Sequence, residues 1–317
     1  MTATPHTRAR TQLLAGLLPV LLVGVVLLVV LAWRLGDAQE PLARASATAP
    51  ATVESVDGTT VAVRYPGPDG AERRARLTLR DELDVPTGAA VTVQYDPADP
   101  GTVYADGDAA HSAVQDVVLG LVLVALVLLG VAATTGGALL TRPRLARRPA
   151  VQVAATHVVV RQGLLVRSWL ELTTGRGVRW LPVHWAPELD RLRPDGPVTV
   201  HGDPTADRRV LPVVAGQQVW PSGRLRRSAP RGDVRQAPVD PGAGPQPLRR
   251  QLRGDAVVVA LAPLLGLLWA YVDGSGPGGF VVTTALAAAV LFWVPQLLGS
   301  SPAPSSAQAQ AQVTEPG

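Results

Sequence analysis

Four uncharged apolar runs are the feature that most constrains this chain of 317 residues. They occupy residues 13–33, 117–140, 256–272 and 280–298. An α-helix rises about 1.5 Å per residue, so roughly 20 apolar residues cross a hydrocarbon core about 30 Å thick. The first two runs reach that length, and the last two are near the short limit but are joined by a Gly-rich turn. The sequence therefore predicts a multi-pass membrane protein with four transmembrane helices.

Arginine is distributed unequally between the two ends of these runs. Arg34 and Arg44 flank the runs on one side, whereas nine arginines flank them on the other: Arg8, Arg10, Arg142, Arg144, Arg147, Arg148, Arg249, Arg250 and Arg253. Because arginine-rich segments next to membrane helices stay in the cytoplasm, we expect residues 1–12, 141–254 and 299–317 to be cytoplasmic. Residues 34–113 and the turn at 273–279 would then lie outside.

The amino-acid composition indicates the kind of organism the chain comes from and excludes some classes of chemistry. The chain has no Lys, Asn, Ile or Cys, a bias typical of a GC-rich bacterium, so the predicted location is a bacterial plasma membrane. Without cysteine there is no disulfide, thiolate nucleophile, iron–sulfur cluster or cysteine zinc site. A cleaved signal peptide is the alternative for the first run. That run is too long for a signal core, and the small residues Ala43, Ala45 and Ala47 lie well past its end, so we expect it to be retained.

Residues 34–113 are predicted to contain a small all-β domain. Apolar and polar residues alternate around Val63, Leu77 and Val93, and residues 66–70 have turn chemistry between the first two of these strands. A helical turn is expected over residues 80–84. With about 60 ordered residues and no disulfide the core is marginal, so we expect this domain to be supported by the membrane helices or by a second copy.

Residues 141–220 repeat the same pattern as a second all-β domain. Residues 82–84 recur as 188–190, residues 91–97 recur in pattern as 198–204, and Val103 corresponds to Val210 at the same offset. This predicts duplication of one unit, with strands in the second copy at residues 151–155, 157–161, 164–172, 178–183 and 198–200. Residues 221–254 and 299–317 are poor in large apolar side chains, which predicts a disordered basic tether and a disordered tail.

The motif that ends the first domain, V-T-V-Q-Y-D-P-A-D-P at residues 91–100, resembles a family of bacterial integral membrane proteins. Members carry a helix-flanked small β domain that ends in V-x-V-x-Y-D-P-x-x-P and has no assigned activity. The resemblance covers roughly residues 10–140 and implies a membrane location without a reaction. The second domain departs from it, because Gly202 stands where the motif has Tyr.

The Tyr-Asp-Pro motif itself indicates a strand end. Tyr95 continues the alternation of inward-facing side chains, and the Asp96 carboxylate can accept hydrogen bonds from backbone N–H groups of the turn. Pro97 ends the strand because it has no N–H to donate to a neighbouring strand. In the second domain Asp203 and Pro204 correspond to Asp96 and Pro97. The alternative is a hard cation bound by four carboxylates, although their spacing matches no known calcium loop: Asp96, Asp99, Asp106 and Asp108.

The sequence gives only weak signals for any other functional site. One set in the second domain could resemble a metal or acid–base site, but Pro187 separates two of its members: His157, His184, His201, Glu188 and Asp203. The chain contains no G-x-S-x-G, no S-x-x-K and no phosphate-binding loop with a lysine, so no catalytic residue, metal or cofactor is predicted. Transport normally leaves ionisable residues inside the bilayer, and the four runs contain none.

The distribution of charged residues predicts which molecules the protein binds. Residues 142–253 hold 20 Arg against 8 acidic residues, a net of +12, and the arginines lie beside the helices. Such clusters bind anionic lipid head groups, whereas nucleic-acid binding needs a focused basic face with stacking aromatics. We therefore expect a membrane scaffold or interaction protein that binds a protein partner or a second copy and is not an enzyme. The alternatives are an oligomeric channel or transporter component and a transmembrane sensor.

Overall fold

The computed structural model of the chain describes residues 4, 6–82, 85–242, 244 and 246–302. The chain divides into two units, and the division falls inside two of its helices. The large unit comprises residues 1–23 and 128–317, and the small unit comprises residues 24–127. Within the described residues four helical stretches are long and apolar enough to cross a membrane: Thr7–Arg44, Ala109–Arg147, Leu248–Asp273 and Gly276–Leu298.

The small unit is built around a closed five-stranded barrel. Helix α1 (Thr7–Arg44) leads into it, and helix α2 (Ala109–Thr141) follows it. Its strands are β1 (Ala47–Asp57), β2 (Thr60–Pro66), β3 (Glu72–Thr78), β4 (Ala90–Asp96) and β5 (Asp99–Tyr104). The order around the barrel is β1-β2-β3-β5-β4, with β3 and β5 parallel and the other pairs antiparallel. This is the strand order of an OB-type barrel, a fold that hosts unrelated functions.

The core of the small barrel is apolar. Alternate residues of its strands point inward because successive strand side chains face opposite sides, and Val63, Val93 and Tyr65 are fully buried. The rings of Tyr65 and Tyr95 pack with centroids 5.0 Å apart, and the Tyr65 hydroxyl donates a 2.6 Å hydrogen bond to the carbonyl of Pro100. Closure of the barrel leaves no sheet edge, which offsets the small size of the core.

The large unit contains a larger β structure. Its strands are β6 (Ala150–Gln162), β7 (Leu165–Thr174), β8 (Gly177–Val183), β9 (Gly196–His201), β10 (Leu211–Val214), β11 (Gln217–Gln218) and β12 (Asp233–Gln236). The order is β11-β10-β9-β6-β7-β8, and β12 also pairs with β6. Its first five strands therefore repeat the small barrel's pairing, since β8-β7-β6-β9-β10 corresponds to β3-β2-β1-β4-β5. A short helix, α3 (Pro187–Asp190), separates β8 from β9. The shared order is what duplication predicts.

The gap between β8 and β10 is closed by residues 219–226. On one side, Trp180 and Arg226 exchange two backbone hydrogen bonds of 2.9 Å, and the N–H of His184 donates to the carbonyl of Trp220. On the other side, the N–H of Val219 donates to the carbonyl of Pro212. The second barrel is thus completed by a segment that the first barrel does not have.

The predicted disordered tether at residues 221–254 is wrong. Residues 221–226 help to close the barrel, β12 pairs with β6, and helix α4 (Leu248–Asp255) occupies the end of the segment. The second β domain accordingly extends beyond residue 220. Composition was misleading here because the segment adds backbone hydrogen bonds to an existing sheet and needs few large apolar side chains to do so.

Several boundaries also differ from the sequence prediction. Helix α1 continues through residues 34–44, which we expected to belong to the first β domain. The two expected strands at 151–155 and 157–161 form one strand, β6. Residues 256–261 of the third run form a 3-10 helix before α5 (Ala262–Asp273). Residues 80–82 form a bend instead of a helical turn, and the rest of that prediction lies outside the described residues.

The last two helices form a hairpin. Helix α6 (Gly276–Leu298) packs against α5 where Gly266 faces Thr284, and a Cβ at Gly266 would collide with the Thr284 hydroxyl. Trp293 of α6 donates a 2.9 Å hydrogen bond from Nε1 to Thr135 of α2. Close backbone approach at a glycine and an interhelical hydrogen bond are the usual means of helix association in a membrane. Residues 299–302 continue in ordered contact with the barrel, and the remainder of the predicted tail lies outside the described residues.

Candidate functional site

A basic pocket lies directly after the apolar run of α2. Its volume is about 420 Å³, and it is lined by Thr141, Leu145 and five arginines: Arg144, Arg148, Arg208, Arg209 and Arg224. The arginines come from three places in the fold, namely the 3-10 helix Pro143–Arg147 with the residue after it, the loop between β9 and β10, and the segment that closes the barrel. We call this site the arginine pocket.

Local structure positions these arginines. Pro143 starts the 3-10 helix at the end of α2, which brings Arg144 to the helix terminus. Arg148 donates to Asp207 Oδ2 at 3.0 Å and to the carbonyl of Arg209 at 3.1 Å, so it ties the end of that helix to the loop. Among the described residues, Asp207 is the acidic group that forms an ion pair within this set. The pocket therefore keeps a surplus of positive charge.

Gly202 explains why the second domain departs from the Tyr-Asp-Pro motif. Its φ is +100°, in the region that favours glycine, and a Cβ there would lie 2.8 Å from Asp207 Oδ2 and 3.4 Å from Arg148 Cδ. A tyrosine cannot occupy this position without moving both residues. The loop that carries Arg208 and Arg209 thus depends on the glycine.

The predicted lipid-facing arginines fall into different environments. Arg144 and Arg148 line the arginine pocket, and Arg147 is exposed nearby in the sequence. Arg249, Arg250 and Arg253 are exposed on α4. Arg142 does not face lipid, because its side chain is buried within the large unit. Sequence reasoning missed Arg208, Arg209 and Arg224; the first two are marked by the Arg-Arg pair after the Asp-Pro turn, and Arg224 has no such signal.

Arg142 instead belongs to a buried polar junction. Its Nη1 donates to His184 Nε2 at 3.1 Å, and His184 Nδ1 lies 3.4 Å from Gln12 Oε1. Since a guanidinium only donates, His184 accepts at Nε2 and carries its proton on Nδ1. Burial, with the positive charge of Arg142, holds the pKa of His184 well below its usual value. The junction therefore holds the start of α1, the end of α2 and the end of β8 together with a neutral imidazole.

Ser300 is the centre of the same junction. Its hydroxyl accepts from Gln12 Nε2 at 3.1 Å and from Gln251 Nε2 at 3.0 Å, and it donates to Asp255 Oδ2 at 2.6 Å. Gln296 donates to the same carboxylate oxygen at 2.9 Å. Helices α1, α4 and α6 thus meet at one hydroxyl within the large unit.

His157 lies in a second polar group, beside a cavity of about 190 Å³. Its Nε2 is 3.0 Å from Ser168 Oγ, which is 2.8 Å from Ser301 Oγ. Its Nδ1 faces Asp190 Oδ1 at 3.5 Å without hydrogen-bond geometry, and the backbone of Leu189 is the other polar group beside this buried ring. Burial lowers the pKa of His157 to about 4 and raises the pKa of Asp190 to about 6.

The order Ser168, His157, Asp190 resembles the arrangement of a serine hydrolase, but access prevents that chemistry. Ser168 is fully buried inside β7 and does not line the cavity. Ser301 does line the cavity, yet its hydroxyl reaches Ser168 and not the imidazole. A nucleophile must contact both the base and a substrate atom, and neither serine does.

The remaining predicted site residues have structural roles. His201 Nδ1 lies 3.0 Å from the carbonyl of Arg148. Asp96 Oδ1 accepts the N–H of Ala98 at 2.8 Å, and Asp203 Oδ1 accepts the N–H of Thr205 at 2.7 Å, which are the turn roles that the sequence indicates. Asp108 accepts the N–H of His111 at the start of α2. Over the described residues, no group of three or more His, Cys, Asp and Glu side chains could hold a metal ion.

In comparisons with protein-family models, curated proteins and solved structures, no match to this chain is found. The resemblance carried by residues 91–100 therefore stays a prediction from the motif.

Proposed function

We propose that the protein is a multi-pass scaffold of a bacterial plasma membrane whose second barrel binds anionic lipid head groups through the arginine pocket. The observation that carries this proposal is the convergence of five arginines in one pocket that is also lined by Thr141, the last residue of an apolar helix. A head-group phosphate lies at that level when the run spans the bilayer. Each arginine near an anionic leaflet contributes about 1 kcal/mol to attachment.

Exposed apolar side chains on the helices support membrane insertion. Leu18, Leu129 and Leu267 are each more than 60% exposed, which in water would leave large apolar surfaces uncovered. The arginine distribution favours a cytoplasmic location for the second barrel and both termini. The buried junction favours a scaffold for that barrel, because hydrogen bonds hold it to the ends of several helices of the large unit.

Lipid specificity can be tested on the full chain in neutral detergent. A ligand that binds the folded state raises the melting temperature, so short-chain phosphatidylglycerol should raise it and short-chain phosphatidylcholine should not. The variant R144A/R208A/R224A should lose the increase. The matched control R249A/R250A/R253A removes the same charge outside the pocket and should keep it.

Two results would contradict the lipid proposal. Equal stabilisation by the two lipids would show that the head-group charge is not recognised. Equal loss in the two triple variants would show that diffuse basic charge, and not the arginine pocket, binds the lipid.

Orientation can be tested because the chain has no cysteine. Single cysteines at exposed Ala98, Ser228 and Ser275 can be labelled with a membrane-impermeant reagent in intact cells. We expect labelling at 98 and 275 and none at 228 until the cells are opened. The reverse pattern would overturn the proposed topology. Ser222 is unsuitable for this purpose because it is buried and bonded to Arg167.

A channel or transporter is the alternative in the same location. Ion flux through vesicles reconstituted with the full chain would favour it over the scaffold.

A further inference from the structure

The cavity beside His157 has the features of a ligand site separate from the arginine pocket. Its volume is about 190 Å³, and it lies between β6, β12, the end of β8 and the residues on either side of the last two membrane helices. His157 is 3% exposed, Trp185 is 4% exposed, and both line it. Apolar side chains form much of the remaining wall, including Val159, Val166 and Pro238.

Hydrogen-bond acceptors dominate the buried part of this cavity. Gln246 Oε1 is buried without a partner, and the Asp190 carboxylate lies 3.5 Å from Nδ1 of His157, a residue whose ring also has the Leu189 backbone beside it. Trp185 Nε1 donates to both oxygens of Asp190 at 3.1 Å, which orients the carboxylate but does not neutralise it. Among the described residues, His157 is the ionisable group within ion-pair distance of Asp190.

The position of the proton on His157 decides which acceptors in the cavity lack a hydrogen-bond donor. If Nε2 donates to Ser168, Nδ1 presents a lone pair toward Asp190, and two acceptors face each other. If Nδ1 carries the proton instead, the Leu189 backbone is available to accept it, and Asp190 stays an ionised, largely buried group with no cation in ion-pair contact among the described residues. In both cases Asp190 and Gln246 Oε1 offer acceptors that a ligand with several N–H groups can satisfy.

We propose that this cavity binds a small organic molecule through a primary ammonium group, with Asp190 as its counter-ion and Gln246 Oε1 as a further acceptor. The apolar wall accommodates the ligand's carbon chain. This site lies at the cavity, not at the arginine pocket, so it extends the proposed function without depending on it. Arg161 and Arg235 line the exposed part of the cavity, and Arg235 is paired with Asp233. They define the competing possibility that a carboxylate binds there.

Four probes of similar size separate these possibilities on the full chain in detergent, measured by calorimetry at pH 7.5. Butylammonium should bind. Butanol lacks the charge, tetramethylammonium has the charge but no N–H donor, and butyrate has the opposite charge, so none of them should bind comparably. Equal binding of tetramethylammonium, or tighter binding of butyrate, would overturn the proposal, as would the absence of butylammonium binding at millimolar concentrations.

Two single-residue variants test whether butylammonium binds at Asp190. Asp190→Asn should weaken butylammonium binding about 10- to 100-fold, since it removes a charge-assisted hydrogen bond. Asp195→Asn is the matched control, because Asp195 is exposed in a turn with φ +53°, outside the cavity. Unchanged affinity in Asp190→Asn would overturn the assignment. If that variant does not fold, the four probes on the natural chain still decide the question.

The same group occurs on ethanolamine lipids and on free amines, and a lipid arm distinguishes the two sources. In nanodiscs, phosphatidylethanolamine should lower the apparent affinity for butylammonium relative to phosphatidylcholine if the lipid is the source. Equal affinity in both assigns the site to a free amine.

Discussion

The two barrels share a strand order but differ in what fills and closes them. The small barrel closes on itself, and its core consists of Val, Ala, Leu and Tyr side chains. The second barrel needs residues 219–226 to close, and it buries charged and polar groups such as Arg167, Ser168 and His184. Hence one arrangement of strands serves two purposes. The first is an apolar core enclosed by a closed sheet, and the second is a base onto which helix ends are fixed.

The largest expected difference between the barrels concerns His184. Replacing it with alanine leaves the buried Arg142 guanidinium without its imidazole acceptor, and leaving a buried charged donor unsatisfied costs about 3 kcal/mol or more. His201→Ala is the matched control, because its imidazole contacts a backbone carbonyl at the barrel surface and should cost less than about 1 kcal/mol. Thermal unfolding in detergent measures both. Similar shifts in the two variants would contradict a special role for the junction.

The next effect is a dependence of stability on pH that belongs to the second barrel. The folded-state pKa of Asp190 is raised to about 6, so this group stabilises the fold at low pH and that contribution is lost as pH rises through about 6. The pKa of His157 is lowered to about 4, so its contribution is lost as pH falls from the unfolded value toward about 4. At pH 5 the folded state holds a proton on Asp190 and the unfolded state holds one on His157.

The two contributions therefore oppose each other, and the natural chain should show little change in stability from this pair between about pH 4 and 6. Asp190→Asn leaves the histidine alone, so its stability should rise with pH by up to about 3 kcal/mol. His157→Gln leaves the carboxylate alone, and its stability should fall with pH instead. Melting temperatures from pH 4 to 7 measure this, and parallel curves for the two variants would show that the pair does not titrate in this way.

The smallest expected effect is in the small barrel. Tyr65→Phe removes the hydroxyl that donates to the carbonyl of Pro100 but keeps the ring contact with Tyr95. Loss of a single neutral hydrogen bond should lower the free energy of unfolding by about 0.5–1.5 kcal/mol. Tyr104→Phe on strand β5 of the same barrel is a suitable control. A loss above about 3 kcal/mol would mean that the small barrel, like the second one, depends on a polar contact.

Much of the strand content could be predicted from local pattern. The alternation around Val63, Leu77 and Val93 marks strands β2, β3 and β4, because a half-buried strand shows its period of two in the sequence. The resemblance between residues 91–97 and 198–204 pointed to corresponding strands in both units. Strand β12 and the closing segment could not be found this way, since exposed edge strands such as β12 show no apolar alternation.

The candidate functional sites, like the strands, contain some residues that the sequence reveals and others that only the structure reveals. Arg144 and Arg148 were visible in the sequence because they flank an apolar run, whereas Arg208, Arg209 and Arg224 join them only in three dimensions. Arg142 occupies an equivalent sequence position but faces the protein interior. Successive residues after a helix point in different directions, so the number of arginines near a membrane does not tell which of them contact lipid.

The sequence by itself determined four helices long and apolar enough to cross a membrane, two β units that share a sequence pattern, and the absence of cysteine chemistry. These properties follow from hydrophobic length, alternation and composition, which act over short stretches of chain. Only the tertiary structure decided the arginine pocket, the junction around Ser300 and the acceptor-lined cavity beside His157. Each of those unites residues from distant parts of the chain, because buried polar groups take whatever partners the fold brings within hydrogen-bond distance.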